Sequence, residues 1–63
     1  MNTAQNHDKT DKQLNQIFLI LQEVSKVGLD AEVVYSALKE IQKNPNMSPL
    51  LAIQIAAKDW DVY

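Results

Sequence analysis

Apolar residues recur at three- and four-residue intervals through the first half of the chain, at Leu14, Ile17, Phe18, Ile20, Leu21, Val24 and Val27. The same segment holds five apolar residues in a row, Ile17-Phe18-Leu19-Ile20-Leu21. At ~100° per residue the spaced set sweeps about half a helix circumference, with Leu19 left on the far side. A single packing stripe is narrower than that, so part of this surface needs cover from elsewhere. The pattern predicts a first helix over 11–27, opened by Thr10 and Gln13 in the form of a capping box. Gly28, the one glycine in the chain, stands where a helix C-terminus favours a residue able to take positive φ.

Asp30 follows as a candidate N-cap for a second helix over 31–43, with Lys39 and Lys43 toward its negative pole. Pro45 ends that helix, and Asn44-Pro45-Asn46 reads as a loop. Ser48-Pro49 has the form of a third helix start, a capping hydroxyl followed by a proline whose missing N–H costs nothing there. That helix is placed at 49–60. No alternating run bounded by hairpin turns is present, so strands are not expected. The fold class predicted is all-α, a small three-helix bundle with a long apolar first helix, oligomeric or partner-bound. Residues 1–9 show no apolar periodicity and read as a disordered tail, leaving 10–63 as a single domain.

Helix 2 offers Val34, Leu38 and Ile41 at i, i+4 and i+7, flanked by Val33 and Ala37. Helix 3 offers Leu51, Ala52, Ile55 and Ala56, with Trp60 one turn on. A core built from Leu21, Val24, Leu38, Ile41, Leu51 and Ile55 leaves Leu14, Phe18, Leu19 and Ile20 in want of another surface. An exposed apolar face larger than a few hundred Å2 is unusual on a monomer and marks an interface.

Composition sharpens that expectation. A 63-residue chain buries only about 60% of its unfolded surface. Such scaffolds usually add disulfides, a metal or another subunit. With no Cys and a single His, disulfides and a conventional zinc site are excluded, which leaves association. Six lysines, no arginine and eight acidic residues give a formal charge of −2. The lysines are scattered rather than gathered into a stripe, so nucleic acid is not an expected partner. No stretch approaches the roughly 18–20 apolar residues of a membrane span, and the polar start is not a secretory signal. A cytoplasmic location is expected.

Candidate chemistry is sparse. His7, the one imidazole, has no second residue with which to form a nucleophile–base pair or a metal cluster. Asp59 and Asp61 flank Trp60, but a pair two residues apart near a chain end lacks the cleft that acid–base work requires. Ser25, Ser36 and Ser48 have no adjacent base, and one glycine cannot make a phosphate loop. No catalytic, cofactor-binding or metal-binding residues are assigned, and no small-molecule substrate. Trp60 and Tyr63 are read first as aromatic cover for a small core and second as binding anchors.

Two families share this outline. Leu21, Val24 and Val27 at three-residue spacing, the Val27-Gly28-Leu29 turn, Ala37-Leu38 and Ile55-Ala56 together resemble ubiquitin-associated (UBA-like) three-helix domains. That resemblance implies a ubiquitin-type partner meeting Val27, Gly28, Leu29 and the exposed face of helix 3. Gly28-Leu29-Asp30 with Ser48-Pro49-Leu50-Leu51-Ala52 is similar to the mitotic-spindle organising (MOZART-type) microproteins. This second resemblance implies a small helical subunit of a γ-tubulin-type complex. Both imply the same architecture and different partners. The expected function is a non-catalytic protein–protein interaction module, binding a partner or itself as a homodimer. The residues expected to do so are Ile17, Phe18, Leu19, Ile20, Leu21, Val24, Val27, Gly28 and Leu29. A homodimeric regulatory accessory protein, of anti-repressor or of phage or plasmid type, is the alternative.

Overall fold

The computed structural model describes residues 3–62, with side chains from Asp11 onward. Three helices make up the fold: α1 (Thr3–Ser25), α2 (Asp30–Lys43) and α3 (Pro49–Asp59). Among the described residues there is no strand, and no helix is long and apolar enough to cross a membrane. Tyr63 and the side chains of His7 and Thr10 lie outside the described part.

α1 is helical from Thr3, ahead of the Thr10 start and within the segment expected to be a tail. Thr10 therefore sits inside the helix rather than at its cap. The extension has a simple cause. Residues 3–13 contain neither Gly nor Pro and include Ala4, Gln5, Lys9, Lys12 and Gln13, all good helix formers. A helix nucleated by its packed half gains one hydrogen bond for each residue it adds.

The other end of α1 is closed by backbone geometry. The Gly28 N–H donates to the Ser25 carbonyl at 3.0 Å and the Leu29 N–H to the Val24 carbonyl at 3.3 Å. With Gly28 at φ +74°, this is a Schellman closure with Gly28 at C′ and Val27 at the C-cap, the regular helix ending at Ser25. Leu29 then packs onto the core that contains Val24, the apolar contact that usually accompanies the motif. The expected Asp30 cap is not formed. Asp30 is the first residue of α2, Leu29 occupies the capping position, and no side chain caps that end. Asp30 and Glu32 still favour the first turn by facing the positive pole of the helix dipole.

α3 begins as the sequence suggests, the Ser48 hydroxyl accepting from the Leu51 N–H at 3.1 Å, with Pro49 in the first turn. It ends in a second Schellman closure. The Asp61 N–H donates to the Lys58 carbonyl at 2.9 Å and the Val62 N–H to the Ala57 carbonyl at 3.0 Å. Here the left-handed position is filled by Asp61 at φ +63°, where a side chain carries a steric cost.

The core is made of Ile20, Val24, Val33, Ala37, Ala52, Ile53, Ala56 and Ala57. It differs from the expected core in all three helices: on α1 Ile20, expected to need another surface, is buried in place of Leu21. Leu38 is 60% exposed and Leu51 46% exposed, while Leu21, Ile41 and Ile55 are half-buried. α2 turns Val33 and Ala37 inward in place of Val34 and Leu38. α3 turns in Ala52, Ile53, Ala56 and Ala57. Alanines at the contact let helix axes approach closely, and the leucines are rotated out.

The two helix closures make opposite predictions. Gly28→Ala should lower stability by about 1 kcal/mol, because an added Cβ meets nothing within 4 Å and the whole cost is the backbone angle. Asp61→Gly should raise it by about 0.5–1 kcal/mol for the same reason. Urea denaturation followed by circular dichroism reads both, and equal signs for the two changes would refute the assignment.

Candidate functional site

Each flank of α1 can be assigned to a neighbour. An open groove of about 350 Å3 is lined by Gln16, Leu19, Ile20 and Glu23 of α1 together with Gln54 of α3. That flank therefore faces α3. The flank across the core carries Ile17 and Leu21, half-buried and packed on the core. Beyond them, farther round the helix, stand Leu14 at 56% and Phe18 at 57% exposure.

The same reasoning applies to α2. Trp60, just past α3, donates its indole N–H to the Ser36 hydroxyl at 2.9 Å, so the Ser36 flank faces the end of α3. Val34 and Ile41 lie on the opposite flank, half-buried against the core, and Leu38 stands exposed beyond them. Helices at ~100° per residue then bring the Ile17–Leu21 edge and the Val34–Ile41 edge to the shared α1–α2 side. On the flanks so turned stand Ile17 and Leu21 of α1 and Val34 and Ile41 of α2, half-buried against the core, with Leu14, Phe18 and Leu38 exposed farther round their helices.

Of the residues expected to bind a partner, the fold brings only some to this face. Phe18 is exposed, and Ile17 and Leu21 are partly accessible. Ile20, 4% exposed, and Val24, fully buried, are held inside the core. They point at α2 and α3 and have no surface left to offer. Leu19 is half exposed but on the α3 side, in the groove with Gln54. Val27 and Gly28 are exposed at the turn, whereas Leu29 is turned inward. The turn and the α1 face are therefore separate surfaces.

Leu38 was missed because a leucine flanked by Val34 and Ile41 at helical spacing is normally read as buried. The available signal was Val33 and Ala37, an i, i+4 pair of compact residues suited to a close helix contact. Trp60 is 42% exposed and covers the Ser36 side of the bundle, with its polar edge satisfied by that hydroxyl.

Electrostatics add little to the site. Lys26 and Glu23 pair at 2.9 Å with both side chains well exposed, a contact screened by water. Lys39 lies 5.7 Å from the centre of the Tyr35 ring, at the outer edge of α2. Among the described residues no polar side chain is buried. Among the described residues no three His, Cys, Asp or Glu groups stand together as metal ligands. What the site can do is exclude water from apolar surface. Comparison with protein-family models, with curated proteins and with solved structures finds no match to this chain.

The division between core and face is measurable. At low micromolar concentration Phe18→Ala should change stability by no more than about 0.5 kcal/mol, as at an open site. Ile20→Ala should cost about 2–4 kcal/mol, as in a packed one. A large loss from Phe18→Ala would show that Phe18 belongs to the core after all.

Proposed function

We propose that this chain is a non-catalytic protein–protein interaction module whose working surface is the apolar face shared by α1 and α2. The observation that carries the reading is the exposure of Leu14 and Phe18 on α1 and of Leu38 on α2, each more than half exposed, on the flanks that helical periodicity turns toward the α1–α2 side. Scattered apolar residues on a surface are ordinary, but a contiguous group of this kind marks an interaction site. Its shape favours a helix. A floor of Ile17, Leu21, Val34 and Ile41 between two helical walls suits an amphipathic helix presenting its own i, i+3, i+4 and i+7 residues.

A ubiquitin-type contact at the 27–29 turn is less well supported. Of its three residues only Val27 presents a large exposed side chain, at 60%, while Leu29 packs inward. The α1–α2 face offers several apolar side chains against that one.

A photo-crosslinking amino acid placed at Phe18 in the source cell should give a discrete protein adduct. The same probe at Lys43, an exposed position near the end of α2, should give none. Equal labelling from both positions, or none from Phe18, would remove the proposed function.

A further inference from the structure

We infer that Trp60, Asp61 and Val62 form a strap over the end of the α2–α3 seam, latched by the Ser36 hydroxyl, which opens and closes while the three helices stay packed. The device lies on the flank of α2 opposite Val34 and Ile41, so it is independent of the proposed working surface.

The strap begins where α3 stops. Past Asp59 the chain reverses through the Schellman closure, the Asp61 and Val62 N–H groups donating to the Lys58 and Ala57 carbonyls. In that motif the residue after the left-handed position makes an apolar contact with the residue five places before it. Val62 is accordingly half-buried against the core, and its counterpart Ala57 is fully buried. Lifting the strap uncovers the Ala57 end of the core without parting the helices.

One hydrogen bond ties this segment sideways to α2. The Trp60 Nε1–H donates to the Ser36 Oγ at 2.9 Å, across 24 positions of sequence. Among the described residues it is the one side-chain hydrogen bond between distant parts of the chain, the others joining positions three apart. Its setting is exposed, so water takes over both groups when the strap lifts and neither is left unpaired in a dry place. A buried bond would instead tie the strap to unfolding of the whole molecule.

Asp61 works against closure. It holds φ +63°, a region that disfavours an L side chain and that an open strap gives up. Ordering three residues also costs conformational entropy. Against these stand the covered part of Trp60, which remains 42% exposed, the half-buried Val62 and the Ser36 bond. Neither side is large, so the open and closed straps lie closer in free energy than the folded and unfolded chains.

Hydrogen exchange read by NMR on the full chain, with and without low urea, tests this. The Trp60 indole and the Asp61 and Val62 amides should be about tenfold or more less protected than the Ala37 amide in the middle of α2. Urea that lowers Ala37 protection should leave theirs unchanged, because a local opening exposes little surface. Ser36→Ala should speed all three about fivefold, the worth of one ordinary hydrogen bond, with helical circular dichroism retained. Trp60→Phe should also speed the Asp61 and Val62 amides. Ser36→Ala made on top of it should add nothing, since both changes break the same bond. Asp61→Gly should slow the Trp60 indole and the Val62 amide about two- to fivefold by removing the left-handed strain. Protection equal to that of Ala37, or falling in step with it in urea, would overturn the inference by making the strap part of the global fold. So would a full effect of Ser36→Ala in the Trp60→Phe background, because Ser36 would then act without the indole.

Discussion

Close approach of three helices through alanine is the constraint on which this structure depends. Among the described residues, Ala37, Ala52, Ala56 and Ala57 occupy half of the buried positions, and the larger side chains sealed completely are Val24 and Val33. Packing density in a protein interior is close to that of an organic crystal. A seam built from methyl groups therefore has no room for a phenylalanine or an additional leucine. Widening it to admit one would separate the helices and expose the alanines that now touch.

That exclusion explains the character of the surface. An alanine removes little apolar area from water compared with a leucine or phenylalanine, each worth about 1.5–3 kcal/mol when fully buried. The chain contains such residues but places Leu14, Phe18, Leu19, Leu38 and Leu51 largely outside. Backbone devices compensate in part, since two Schellman closures and the Ser48 cap fix helix ends without needing core volume. The Trp60–Ser36 hydrogen bond ties the end of α3 to α2 at the surface. Much of the apolar surface of the large side chains therefore lies outside the core.

The helix plan was legible because its signals are local. Gly28 acts as a C-terminal turn, Ser48-Pro49 as a start and Pro45 as a stop regardless of what the rest of the chain does, and α2 and α3 fall within a residue or so of the expected bounds. The start of α1 was less visible, since a polar segment without Gly or Pro is compatible with either tail or helix, and Asp30 proved to begin α2 without capping it. Rotation about each helix axis was harder still. On α2 the stripes Val34–Leu38–Ile41 and Val33–Ala37 lie about 100° apart, and hydrophobicity alone favours the first. The fold chooses the second because helix contact depends on how closely axes can approach as well as on how apolar a residue is. Half of the candidate face, Phe18 with Ile17 and Leu21, could be read from the crowded run in α1. The other half, Leu38 with Val34 and Ile41, required knowing which way α2 turns.

α1 links these points to function. Every described residue from Asp11 to Gln16 is exposed, and contact with the core begins at Ile17. Residues 11–16 therefore bury no side chain, and isolated helix is marginal in water. Leu14 lies within this unsupported stretch, on the same face as Phe18. A partner that covers Leu14 and Phe18 together holds the overhanging turns to the packed half of the helix, so burial and helix extension reinforce each other.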